Sequence, residues 1–361
     1  MNKLFQNHKM ICNFKPWFLF LGFIFFVNPS LGEAYDISPS LKKVKTSYNI
    51  GVLADKLSRK DLEERLRTFV AASRPSRSPG SKGHQAGRQF ILNFLKSLPE
   101  GETSVSTQAF TAIAPTELSK NSLDGMNLIW EKKGSQFPDE VILIGAHYDT
   151  VLKDNKTKKI LFNGEMPGAD LNASGVVLAM SLAELFSKLE LPRSVKIVFF
   201  DYEEIDSQGS KEYAKKWLNE IGTQKLAGFV QLNRLGHDTK INDTEKKFNN
   251  FQIYHRSSAD KNAQSEIDFI GQLVRMGTKT SPQIKFKLAE ISPEATDFHS
   301  ATSFRSLGFN ALTFTQNLTS DPNPRIYSSN DFVETLNFTT YSFAYRFIAA
   351  SLLGWNFGIV K

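Results

Sequence analysis

Four short apolar runs restrict the folds open to this chain more than any other feature. They are Val141–Gly145, Val195–Phe200, Phe229–Leu232 and Phe309–Phe314, each rich in β-formers and bounded by polar or turn residues. Runs this apolar suit strands covered on both faces rather than strands with one wet side. Between them, Ser174–Leu189 and Glu212–Ile221 read as helices, and Phe338–Leu353 reads as a closing helix. Strands alternating with helices predict an α/β fold whose sheet is covered on both faces. Upstream, Ser58 and Asp61 form a capping-box pattern ahead of Leu62, Leu66, Phe69 and Val70 at helical spacing. A Ser/Pro/Gly-rich loop over 73–83 leads into a second helix with the stripe Ala86, Phe90, Ile91, Phe94, Leu95 and Leu98. Residues 33–57 read as a poorly ordered lead-in, residues 237–250 as a polar surface insertion, and no internal repeat is present.

The first 32 residues have the pattern of an export signal. A basic leader ends at Lys15, an apolar run extends from Trp17 to Val27, and the small residues Ser30 and Gly32 follow. That run is well short of the about 20 residues a spanning helix needs, and suits a signal peptide over 1–32. The chain is therefore expected in the periplasm or outside the cell, with an uncleaved membrane anchor as the alternative. The single cysteine, Cys12, lies within this segment, so an exported chain would carry no disulfide and would depend on the size of its core. Removing the segment's three lysines lowers the formal net charge from +7 to +4. The other basic residues are interspersed with acids, as where Asp61, Glu63 and Glu64 lie between Arg59 and Arg67. No basic stripe exists to neutralise phosphates, which argues against a nucleic-acid partner.

Acidic and histidine residues gather just beyond the expected strand ends, where open α/β sheets place their binding crevices. His147-Tyr-Asp149 follows the first run. An imidazole can ligate a metal while a nearby carboxylate fixes its tautomer; a hydrogen-bonded structural histidine fits the same pair. Pro167–Gly175 is a tight loop opening a helix, and its Asp170 suits either a bridge between two cations or a turn. Straight after Phe200 comes Asp201-Tyr-Glu203-Glu204. Adjacent glutamates at a buried strand end repel each other unless a proton or cation intervenes. One can hold a metal while the other serves as base toward a metal-bound water.

The order and spacing of these segments resemble the aminopeptidase Y-type zinc exopeptidases, whose relatives include leucyl aminopeptidases, glutamate carboxypeptidases and glutaminyl cyclases. The resemblance includes Arg77–Gly87, Gln231–Gly236 and Asn323–Asp331, and covers roughly residues 58–355. It implies a single domain over 58–361, with a mostly parallel mixed central sheet sandwiched by helices. It also implies peptide substrates, one or two zinc ions, and hydrolysis of N-terminal residues. By motif, His147, Asp170 and Glu204 take the metal-ligand positions, with Asp170 as the bridge. Glu203 takes that of the general base, and Asp149 supports His147.

Two further ligand positions are altered. Asn233 stands where the family has an aspartate, and Tyr327 where it has a late histidine. Asparagine keeps an oxygen donor without its charge. A phenol of reference pKa ~10 ligates only when a metal drives off its proton. The Tyr327 hydroxyl can instead donate to a developing oxyanion. His299, in the rearranged segment Thr296-Asp-Phe-His299, is a candidate replacement ligand, as more remotely is His237. Three functions follow from the resemblance: a metal-dependent aminopeptidase, a catalytically inactive binding protein on the same fold (as in the transferrin receptor ectodomain), and glutaminyl cyclase-like chemistry.

Overall fold

A computed structural model describes residues 41–99, 101–113, 123–162, 164–220, 224–239, 250–291 and 299–359. The signal-like segment 1–32 lies outside them, as do 33–40 of the lead-in and 240–249 of the insertion. In chain order the helices are α1 (Ile50–Ala54), α2 (Arg59–Ala72), α3 (Lys82–Lys96), α4 (Ser174–Ser187), α5 (Gln208–Glu220), α6 (Ala263–Thr280), α7 (His299–Arg305) and α8 (Phe338–Asn356). The strands are β1 (Thr103–Ala112), β2 (Leu123–Lys132), β3 (Phe137–His147), β4 (Leu152–Lys153), β5 (Ile160–Leu161), β6 (Arg193–Phe200), β7 (Lys225–Leu232), β8 (Phe251–His255), β9 (Lys287–Glu290) and β10 (Ala311–Gln316).

Eight strands form one mixed sheet in the order β1-β2-β6-β3-β7-β10-β8-β9, and β4 and β5 make a separate hairpin. The four apolar runs become its centre: β6, β3, β7 and β10 are mutually parallel. Because side chains alternate along a strand, β3 serves two cores. Ile142, Ile144 and Ala146 join the larger one beneath α2, α3, α4, α6 and α8, whereas Val141 and Leu143 join the other beneath α5 and α7. In that second core Phe229 stacks on Phe304 with ring centroids 4.2 Å apart, slightly closer than the about 4.5–7 Å usual for aromatic pairs. The stretch Ala169–Ser187 is long and apolar enough to cross a membrane, but 94% of its apolar window is buried inside the protein, which makes it the central core helix.

The capping box at α2 is present: Ser58 Oγ accepts from Asp61 N, and Asp61 accepts from Ser58 N. The lead-in requires correction over 41–57. Asn49 caps α1, and Ile50, Leu53 and Ala54 are buried in the larger core. Buried Arg193 ties this segment down, donating to Lys42 O at 2.9 Å and Asn356 O at 2.7 Å. The insertion also differs from expectation at its ends, since His237, Asp238 and Asn250 are buried. Sequence reading missed β1, β2, β8, β9 and α6. β1 is a half-exposed edge strand with a polar sequence, so it lacks the continuous apolar run that marks the central strands.

Candidate metal centre

The parallel strands β3, β6 and β7 end on one side of the sheet, and three of the expected segments begin there. His147 is the last residue of β3; its Nδ1 lies 3.0 Å from the Asp149 carbonyl and 3.5 Å from Asp149 Oδ1. A proton on Nδ1 donated to that carbonyl leaves the Nε2 lone pair facing Glu204 Oε1, 3.9 Å away. Burial works to lower the His147 pKa, but Asp149, Glu204 and Glu203 outweigh it and hold it above the usual value. Asp149 also fixes the turn after β6, its two carboxylate oxygens accepting from Glu203 N at 3.1 Å and Glu204 N at 2.9 Å.

Glu203 is fully buried. Its oxygens accept from Ser210 N and Ser300 Oγ, each at 2.7 Å. Burial pushes its pKa up to about 7, assisted by the charge of Asp149 and opposed by those two hydrogen bonds.

Asp170 is held by a network of protein donors. It sits in an irregular turn over Ala169–Ala173, and its carboxylate is taken up by protein donors. Oδ1 accepts from Gly236 N at 2.8 Å and Ser174 Oγ at 3.1 Å, and Oδ2 from Asn323 Nδ2 at 2.9 Å. These bonds brace the turn against the loops that carry Gly236 and Asn323. The next residue, Leu171, is buried yet belongs to no apolar cluster. Sequence reading missed the groups that shape this turn. Asp331 accepts from the backbone N–H groups of Asp170 and Leu171 at 3.0 Å each. Burial and the charge of Asp170 push the Asp331 pKa up to about 7. The buried Arg77 guanidinium bonds the carbonyls of Tyr148, Pro167 and Gly168 at 2.7–2.9 Å. Asn172 joins the ends of β3 and β7, reaching Leu232 O at 3.0 Å and His147 O at 3.4 Å. A Cβ on Gly175 would come within 2.5 Å of Leu232 O, so only glycine lets α4 start this close to β7.

Asn233 is buried at the end of β7, with its N–H on Phe314 O. Tyr327 and Arg234 both have left-handed backbones, with φ of 62° and 51°. That conformation costs roughly 1–2 kcal/mol for a residue with a side chain, and such strain gathers at functional sites. Their side chains meet: Arg234 Nη2 donates to the Tyr327 hydroxyl at 2.9 Å. Lys153, from the β4–β5 hairpin, lays its ammonium 3.4 Å from the centroid of the Tyr327 ring and 3.8 Å from Glu204 Oε2. His237 lies beside Asp321, with Nε2 3.4 Å from Oδ1. His299 opens α7, and its side chain lies outside the described residues.

The zinc that the resemblance implies can be tested against these donors. A catalytic zinc takes three protein ligands and a water. Among the described residues, no group of three or more His, Cys, Asp or Glu side chains is arranged to hold a metal. His147 and Glu204 converge, Lys153 lies beside Glu204, and Asp170 accepts from Gly236 and Asn323. The described residues do not fit a two-zinc centre.

Fold and site together define an α/β protein that gathers buried acidic and histidine side chains at the carboxyl ends of its central strands. Residues 127–351 match the model of Peptidase family M28, and the chain belongs to that family of metallopeptidases. It is 23% identical over 210 residues to a probable zinc metalloprotease of Pyrenophora tritici-repentis, covering 56% of this chain and 47% of the relative. The chain thus spans about half the length of that curated relative. In fold it is similar to LapB from Legionella pneumophila, with TM-score 0.66 and 17% identity over 90% of this chain and 79% of that one. It is also similar to the glutaminyl cyclase of Porphyromonas gingivalis, with TM-score 0.63 and 17% identity over 82% and 98% of the two chains. A leucine aminopeptidase precursor from Bacteroides thetaiotaomicron gives TM-score 0.63 and 16% identity over 83% and 98%.

Proposed function

We propose that this member of family M28 acts outside the cytoplasm as a peptide-binding protein, retaining the family's crevice without a resident pair of catalytic zincs. The observation that carries this reading is the state of Asp170. Three donors from Ser174, Gly236 and Asn323 engage its carboxylate, which supports a structural role for the residue assigned to the bridging position. The altered positions Asn233 and Tyr327 agree with it. Peptides are the ligand class because the family acts on them.

A second reading, a zinc-dependent aminopeptidase, is favoured by one specific observation. Glu203, Glu204, Asp149 and His147 are all buried together, and a Glu203 pKa raised to about 7 suits a general base. Zinc would supply a Lewis acid there, and Glu203 would hold the proton at its carboxylate.

Turnover assays separate the two. The exported chain, supplied with zinc, is offered aminoacyl anilides and N-terminal glutamine peptides, and peptide binding is followed in parallel. The expected result is binding without hydrolysis or cyclisation. Hydrolysis that chelation removes, zinc restores and Glu203→Gln abolishes would establish the aminopeptidase instead.

A further inference from the structure

Along β6 every residue is buried except Lys196. By strand alternation it shares a face with Val198 and Phe200, which join the core beneath α5. A cavity of about 160 Å³ opens beside it, walled by Ile129 and Glu131 of β2 and by Tyr213 and Trp217 of α5. This hollow lies roughly 13 Å back along β6 from Phe200, the strand's last residue before the crevice. Its charges are loosely held. Lys196 Nζ stands 3.4 Å from Glu131 Oε2, 3.3 Å from Gln224 Oε1 and 4.8 Å from the centroid of the Trp217 ring. A closed ammonium–carboxylate bond measures about 2.7–2.9 Å, and an ammonium has a third donor beyond those two acceptors. Both charged side chains are largely covered, Lys196 at 14% and Glu131 at 27% exposed. Trp217 is buried, and its indole N–H has no hydrogen-bond partner, a state that folded proteins seldom leave unexplained.

We infer that this hollow is a binding site for a free α-amino acid with an apolar side chain. The ligand carboxylate takes the spare donor of Lys196 and the indole N–H of Trp217. Its ammonium faces Glu131, and its side chain lies on Ile129, Tyr213 and Trp217. The space suits a ligand of that size, since about 150 Å³ accommodates one benzene. A simple anion would be repelled by Glu131 and a simple amine by Lys196, so a ligand carrying both charges fits the pair best. The site stands apart from the crevice and draws on none of its residues.

Calorimetric titration of the exported chain with L-leucine, L-valine and L-phenylalanine tests this. At least one is expected to bind, with the analogues that lack its amino or its carboxyl group weaker by about tenfold or more. Lys196→Met, which keeps the apolar stem, and Glu131→Gln should each weaken binding by a similar factor. No binding by any of the three, or an unchanged affinity in either variant, would overturn the proposal. If a charge variant fails to fold, Ser106→Phe decides the matter, because Ser106 is exposed and lines the same hollow. Binding lost on that substitution supports the site, and binding kept overturns it.

Discussion

Glu203 shows how burial can set the protonation of a single side chain. It lies fully buried beside the Asp149 carboxylate, with Ser210 N and Ser300 Oγ on its two oxygens. The folded chain holds its proton up to about pH 7, whereas the unfolded chain releases it near the ordinary glutamate value of 4.5. Stability from this residue is therefore full below pH 4.5 and is lost as pH rises through about 7, by on the order of 3 kcal/mol. Glu203→Gln keeps both hydrogen bonds, accepting from Ser210 N and donating to Ser300 Oγ, and has no charge to desolvate. Urea unfolding from pH 5 to 8 should show a falling stability for the wild type and a flatter profile for the variant. Equal slopes would mean that the Glu203 carboxyl is not held in its neutral form by burial. The site residues differ in how readable they were. His147, Asp149, Glu203 and Glu204 follow apolar strands, and a strand end fixes where the next residues point. The hydrogen bonds of Asp170 to Gly236, Ser174 and Asn323 were not legible, since those partners come from segments up to 153 residues away. Lys153 and Arg234 carried no motif; only the hairpin and a left-handed backbone bring them to Tyr327.

Among the elements, legibility followed burial pattern. The four strands of the parallel centre are covered on both faces and read directly from their apolar runs; the edge strands β1 and β9 are half exposed and did not. The lead-in was misread for a related reason. Its apolar residues are sparse, but Ile50, Leu53 and Ala54 all face the core and α1 lies against α8. Fully burying a large aliphatic side chain contributes roughly 1.5–3 kcal/mol, so two of them and the Arg193–Lys42 bond matter to a domain of ordinary stability. A chain beginning at Ser58 should unfold at distinctly lower denaturant than one beginning at Leu41, by about 3 kcal/mol or more. Matching midpoints would show that 41–57 adds nothing to the domain.

At the scale of the whole molecule, the proposed function keeps the M28 scaffold and sets aside a resident pair of zincs. The family match over residues 127–351 takes in the central parallel strands and the loops at their carboxyl ends. The loops themselves are closed by the chain's own groups: Arg77 across three carbonyls, Asp331 beneath the Asp170 turn, Arg234 on Tyr327, and Lys153 beside Glu204. A fold hosts functions through its sites, and this site is built from internal hydrogen bonds and ion pairs where the resemblance implies zinc. The direct test is elemental analysis of the exported chain after equilibration with excess zinc and removal of the unbound ion. The account predicts far less than one zinc per chain, unchanged by His147→Ala. One or two tightly held zincs, lost on that substitution, would contradict it.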